Sequence, residues 1–224
     1  MADEQSEPSF LERLVAEDRD ALTALGRRRA LKRSTTLFTE GDTSDRVVIV
    51  VSGRVKVSYF TEDGREVVLA VRGPGELLGE FSAIDGEPRS ATATALDDVE
   101  ALMIGAEDFR SFVRERPTAA FALLELVVAR LRDADRKRIE FAAHDTVGRV
   151  ARRLVEMAER FGTPDERGTR IDLPLSQDEL AGWTGASREA VSKALQHLRG
   201  RGWIETGRRN IIVLDLHGLR SRAE

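Results

Sequence analysis

The chain has no cysteine among its 224 residues. Disulfides, iron–sulfur ligation through cysteine and a cysteine nucleophile are therefore excluded. Histidine is nearly as scarce. His144, His197 and His217 are the only three, and all lie outside the segment read below as a barrel, which argues against a haem held by histidine there. The opening residues, MADEQSEPSF, lack the basic-then-apolar order of a secretion signal. No apolar run approaches the ~20 residues that a membrane helix needs. A cytoplasmic location with no membrane partner is the expectation. No Ser-His-Asp set, metal-ligand spacing or phosphate-binding Gly-rich loop is present, so no metal and no enzyme activity are expected.

What is present fits a folded globular protein: 41% hydrophobic and 33% charged residues. The length allows one large domain or two small ones. The net charge of -4 does not advertise a nucleic-acid binder, but it hides an asymmetry. From Asp145 onward there are 14 Lys+Arg against 12 Asp+Glu, and the first 144 residues hold the other 21 and 27. Only the C-terminal third has a positive balance.

Along the chain the texture changes three times. Residues 9–27 carry apolar residues at helical spacing and predict a short helical entry. From about Ser34 to Ile104, β-branched runs such as RVVIVVSGRVKVSYF alternate with Asp-Gly, Ser-Gly and Gly-Pro-Gly turn signals, which predicts an all-β barrel or jelly roll. Residues 118–145 contain neither Gly nor Pro and predict one long helix. Phe121, Leu124, Val128 and Leu131 form an a/d-like seam on it, which turns polar at Asp135 and Arg138. The narrow stripe favours a self-pairing dimer helix over a helix packed only on its own barrel. Asp145-Thr146 predicts a capped restart, followed by Val147, Val150, Ala151, Leu154, Val155 and Ala158 on one helical face. DERGTR reads as a linker to a short strand, IDLPL.

The most informative stretch begins at Ser176. Ser176 and Glu179 have capping-box spacing. Thr184-Gly185-Ala186-Ser187 is a short turn containing Gly, and Ser187 is a good cap for a second helix with Val191, Leu195 and Leu198 inward. This is a helix-turn-helix pattern. The outward residues at the start of the second helix are Arg188, Glu189, Ser192 and Lys193. Arg and Lys match the acceptors of guanine, and Glu accepts from the amino group of cytosine. The following GWIE-TGRRN-IIVL reads as a hairpin wing whose turn carries Arg208 and Arg209, suited to phosphates.

The chain from about residue 10 to 220 resembles the cyclic AMP receptor protein (Crp/Fnr) family. The carrying motifs are GEFSAIDGEPRSA and GASREAVSKAL. The resemblance implies an α+β architecture in three parts. Residues 1–117 would be a cyclic-nucleotide-binding jelly-roll sensor, 118–144 a dimerisation helix, and 145–224 a winged helix-turn-helix. It implies a homodimer on double-stranded DNA with an inverted-repeat operator, and RNA polymerase as a further partner. In the first motif it places the ribose 2′-hydroxyl on Glu80 and the cyclic phosphate on Arg89. Gly79, Ser90 and Ala91 would complete the cradle, and Glu80 is expected to help hold Arg89. At the positions that meet the base, this chain departs from the cyclic AMP-responsive pattern. Ala134 and Asp135 stand where Thr and a small polar residue are expected. Ala134 cannot hydrogen-bond a base, and a carboxylate at Asp135 suits the paired donors of guanine better than adenine. Cyclic AMP, cyclic GMP and cyclic di-GMP all stay open as the ligand. So do a ligand-independent regulator with a vestigial pocket, and a nucleotide-binding protein whose helix-turn-helix contacts protein.

Overall fold

The computed structural model describes residues 7–43, 45–172, 176–207 and 210–223. Two short helices, α1 (Phe10–Arg13) and α2 (Ala16–Leu25), open the chain, where the sequence predicts one entry helix. A capping box fixes α1: Ser9 accepts from the Glu12 N–H while Glu12 accepts from the Ser9 N–H at 2.7 Å. Eight strands follow: β1 (Arg27–Leu31), β2 (Thr36–Phe38), β3 (Arg46–Ser52), β4 (Val55–Phe60), β5 (Glu66–Arg72), β6 (Leu77–Leu78), β7 (Thr92–Ala95) and β8 (Val99–Gly105). A short helix, α3 (Glu80–Asp85), interrupts them between β6 and β7. They form two four-stranded sheets, ordered β1-β8-β3-β6 and β2-β7-β4-β5. This is the double-sheet jelly-roll arrangement that the strand texture predicts. One apolar cluster, around Val48, Val50, Val55 and Ala93, fills the space between the sheets, and a second, around Val47, Ile49, Leu77 and Ile104, lies on the other face of the β1-β8-β3-β6 sheet beneath helices.

Helix α4 (Ala106–Glu115) leads into α5 (Pro117–Ala143), a single helix of 27 residues. Proline at its first position costs nothing, because that N–H has no intrahelical partner. The helix carries two apolar stripes. Ala119, Ala122, Leu123 and Leu126 are buried in the cluster that also holds Phe10, Leu22, Phe109 and Phe112. The predicted seam lies on another face and stays open within the chain, with Phe121 62%, Leu124 56%, Val128 40% and Leu131 61% exposed.

Past α5 come α6 (Thr146–Phe161), β9 (Thr163–Asp165), β10 (Gly168–Asp172), α7 (Gln177–Thr184), α8 (Arg188–Gly200), β11 (Ile204–Thr206), β12 (Asn210–Val213) and α9 (Leu216–Ala223). The stretch read as a linker is instead part of a hairpin. β9 pairs antiparallel with β10, and both belong to a sheet ordered β11-β12-β10-β9. The chain divides into two compact units. One comprises Glu7–Tyr59 with Leu69–Asp133; the other comprises Ala134–Glu224 with the β4–β5 tip Phe60–Val68.

Asp145 caps α6 as predicted: its carboxylate accepts from the Gly148 N–H at 2.9 Å. Arg222 on α9 donates to both of its oxygens, at 2.5 and 2.6 Å. The Gly148 N–H, and then Arg222, hold Asp145 below the ordinary carboxylate range against the opposing effect of burial. Its contribution to stability is present above the ordinary carboxylate pKa and is lost as pH falls through the lowered value. Asp145→Asn keeps a capping side chain but loses the charge. Its melting temperature should fall below wild type at neutral pH, and the gap should close in acid. Melts at a series of pH values check this; a gap that persists unchanged in acid would contradict it.

Candidate ligand pocket and nucleic-acid interface

The Gly79–Ala91 motif folds as a left-handed turn at Gly79, then α3, then a return into β7. Gly79 has φ 78° and ψ 15°, a region costly for a side-chain-bearing residue. A Cβ there would also lie 2.2 Å from Arg89 Nη1. Arg89 is 3% exposed. Its Nη1 donates to the Gly79 carbonyl at 3.0 Å and its Nη2 to the Arg46 carbonyl at 2.5 Å. The guanidinium carbon lies 4.3 Å from the centre of the Phe38 ring. Its Nε is buried with no hydrogen-bond partner among the described residues. Burial pulls Arg89 below the ordinary guanidinium range, opposed by the field of Asp45. Glu80 helps hold Arg89 as expected, through the field of its carboxylate, but among the described residues the two make no direct hydrogen bond. Arg89 hydrogen-bonds to neutral carbonyls, while Glu80, 2% exposed, takes Arg130 of α5 as its ion-pair partner. Arg130 also donates to the Leu77 carbonyl at 2.5 Å.

The structure therefore brings Gly79, Glu80 and Arg89 together. Ser90 is exposed and Ala91 is buried, both in the bend just before β7. Ala134 and Asp135 lie on the part of α5 that belongs to the other unit. Both are exposed, and the Asp135 carboxylate stands 3.9 Å from Arg138 Nη1. The sequence reading missed Arg130. The signal available was the inward stripe of α5, because Arg130 follows Leu126 at i+4 on the buried face.

In the second unit the helix-turn-helix is built as predicted. Ser176 and Glu179 make a reciprocal capping box, with bonds of 3.1 and 2.7 Å. Gly185 ends α7 in the left-handed region at φ 60°. Ser187 caps α8 by accepting from the Ala190 N–H at 3.2 Å. Val191, Leu195 and Leu198 are buried, whereas Arg188, Glu189 and Lys193 are exposed and Ser192 is half-buried. One exposed end of α8 thus presents a cation, an anion and a cation. Arg188 lies 3.6 Å from Asp178 of α7. Glu189 is held below the ordinary carboxylate range by its own N–H and by the Ser187 hydroxyl, so it is an acceptor at neutral pH. β11 and β12 form the wing's strands, with Ile204 opposite Val213. Arg208 and Arg209 lie outside the described residues.

Two protein-family models match the chain. Residues 28–116 match the cyclic nucleotide-binding domain and residues 148–222 match the Crp-like helix-turn-helix domain. The chain belongs to the Crp/Fnr family of transcription regulators. As a Crp/Fnr regulator it is a DNA-binding protein that carries a cyclic-nucleotide-binding domain. Its similarity to the CRP-like cAMP-activated global transcriptional regulator of Mycobacterium tuberculosis is 37% identity over 191 residues, covering 85% of each chain. The cyclic AMP receptor protein of Thermus thermophilus is 32% identical, with 87% of each chain covered. Among solved structures, the c-di-GMP responsive global regulator CLP of Xanthomonas campestris superposes with a TM-score of 0.78 at 26% identity, covering 89% of this chain and 99% of that one. Among the described residues of this Crp/Fnr chain, no helix is long and apolar enough to cross a membrane.

Proposed function

We propose that the protein is a homodimeric regulator whose grip on DNA is controlled by a cyclic nucleotide seated at the Gly79–Ala91 cassette. The observation that carries this is Arg89: among the described residues its buried guanidinium bonds to two neutral carbonyls and its Nε–H has no partner. A cyclic phosphate has one negative charge and exocyclic oxygens, which is what such a cation accepts. The residues present therefore fit the group. Arg89 faces the phosphate, with Ser90 and the backbone N–H groups of Gly79 and Ala91 completing the cradle. Glu80, oriented by Arg130, receives the ribose 2′-hydroxyl. Ala134 and Asp135 meet the base. The relatives in Mycobacterium tuberculosis and Thermus thermophilus are named for cyclic AMP, and the one in Xanthomonas campestris for cyclic di-GMP. An acceptor-only carboxylate at Asp135 favours a guanine base.

The exposed seam of α5 supports self-association, since four large apolar side chains in one line are left without cover inside the chain. Two α8 helices related by a two-fold axis would enter successive major grooves about 34 Å apart, so the operator is an inverted repeat. Arg188 and Lys193 read guanine, Glu189 reads cytosine, Ser187 and Ser192 share that DNA-facing end of α8, and the wing's Arg208 and Arg209 rest on phosphates. RNA polymerase is the partner through which a bound dimer acts, in the cytoplasm. Replacing Arg188 by Ala should cost about 1–3 kcal/mol at one base position and relax preference there. Binding across single-base operator variants checks this. A uniform loss over all sequences would show that Arg188 reads no base.

A further inference from the structure

Helix α5 ends at Ala143, and α6 starts three residues later at Thr146. Two neighbouring side chains of α5 reach across that junction. Glu140 is only 6% exposed, and both of its carboxylate oxygens are engaged. Arg152 Nε pairs with one at 2.7 Å, and Arg153 pairs with the other. Arg153, itself 4% exposed, also bonds to Glu156 at 2.5 Å. Its guanidinium carbon lies 5.6 Å from the Trp183 ring centre. Trp183 belongs to α7, so the chain Glu140–Arg153–Trp183 runs from the long helix to the first helix of the reading head.

The adjacent residue reaches the turn itself. A Cβ built on Gly185 would lie 2.3 Å from Phe141 Cε1, so the ring sits directly against the turn backbone. Arg149 lies 5.5 Å from the same ring and donates to the Thr184 carbonyl at 2.7 Å and to the His144 carbonyl at 2.5 Å. Both ends of the junction are thus tied to the turn that positions Ser187 and Arg188. All these residues lie in one compact unit.

We propose that Glu140 and Phe141 form a clasp that fixes the recognition helix against α5, and that they determine which spacing between operator half-sites the protein accepts. The inference rests on the reading of the chain as a dimer on an inverted repeat. In such a dimer the α5 seam fixes the two long helices, and the clasp fixes each head to its helix. Inserting one base pair between half-sites moves them about 3.4 Å apart and turns them by about 35°. A head held rigidly at both Trp183 and Gly185 cannot follow that change, whereas a head held by the backbone alone can. A buried ion pair adds little net stability over an apolar pair of similar volume, so geometry is what it contributes here. For the same reason the test replaces both charges together and leaves no buried charge unpaired.

The experiment measures Kd on three duplexes. One is the tightest inverted repeat recovered by selection from random duplexes; the others have one base pair inserted or removed between its half-sites. Wild type, the double variant Glu140→Met/Arg153→Met, and Phe141→Leu are compared as full-length proteins. Only the ratio between duplexes is read, so an inactive fraction cancels. Wild type should lose about tenfold or more on changing the spacing, the order of losing one good base contact. The double variant should lose about threefold or less, with Phe141→Leu between. A double variant as strict as a strict wild type overturns the clasp alone. A wild type indifferent to spacing overturns the clasp, and one that also binds a single half-site as tightly as the repeat overturns the dimeric reading on which it rests.

Discussion

Leu131→Glu is expected to leave the protein monomeric and to abolish high-affinity operator binding. Leu131 is 61% exposed within the chain and ends an unbroken apolar line that starts at Phe121. If that line is the seam, two copies place two Leu131 side chains against each other at its last apolar position. Two glutamates there would be desolvated and mutually repulsive, a penalty of several kcal/mol. The barrel core should not feel the change, because the buried stripe of α5 consists of Ala119, Ala122, Leu123 and Leu126. The expected result is thus a folded monomer in sedimentation velocity, with near-native thermal unfolding at low concentration. A half-site monomer loses the advantage of two linked contacts, so operator affinity should drop by about a hundredfold or more. A Leu131→Glu protein that sediments as a dimer would show that the seam lies elsewhere.

Arg89→Ala is expected to cost about tenfold to a hundredfold or more in cyclic-nucleotide affinity. It removes a buried cation aimed into the cassette, and a charge-assisted contact of this kind is worth about 1.5–3 kcal/mol. Fold stability should change little. In the free protein the Arg89 charge is desolvated, bonded to two neutral carbonyls and has an unused Nε, so its burial returns about what it costs. Arg89→Lys keeps the charge but loses the planar fork, and should recover only part of the affinity. Calorimetric titration alongside a urea melt separates the two effects. Equal losses of binding and of stability would mean that Arg89 is a structural residue.

Sequence reached furthest where the determining contacts are local. The Ser176–Glu179 box, the Asp145 cap and the Gly185 turn depend on residues three or four apart, and each is built as its spacing implies. The barrel's existence was legible from β-branched runs, but its pairing was not. β1 joins β8 and β2 joins β7, pairings that range from Phe38 with Ala93 to Arg27 with Met103, and no local pattern encodes contacts so distant in sequence. The β9–β10 hairpin escaped because its strands are short and one contains Pro164. The cassette shows the same limit. Glu80 and Arg89 are near in sequence, which suggested a pair. The helix α3 between them instead leaves Glu80 to Arg130, fifty residues further on. Arg130 was hidden because its role depends on the buried face of α5, while the larger apolar side chains of the helix, Phe121, Leu124, Val128 and Leu131, lie on the other face.

The central claim is that a cyclic nucleotide controls the grip on DNA. Its most direct test is operator affinity, followed by fluorescence anisotropy of a labelled inverted-repeat duplex. Cyclic AMP, cyclic GMP and cyclic di-GMP are titrated separately, with wild type and Arg89→Ala in parallel. One nucleotide should shift wild-type operator affinity by about five- to a hundredfold, the usual range for coupled sites. The shift should vanish in Arg89→Ala at the same nucleotide concentration. A wild type that binds its operator equally well with and without all three nucleotides at millimolar concentration, and that shows no heat with any of them, would contradict the account.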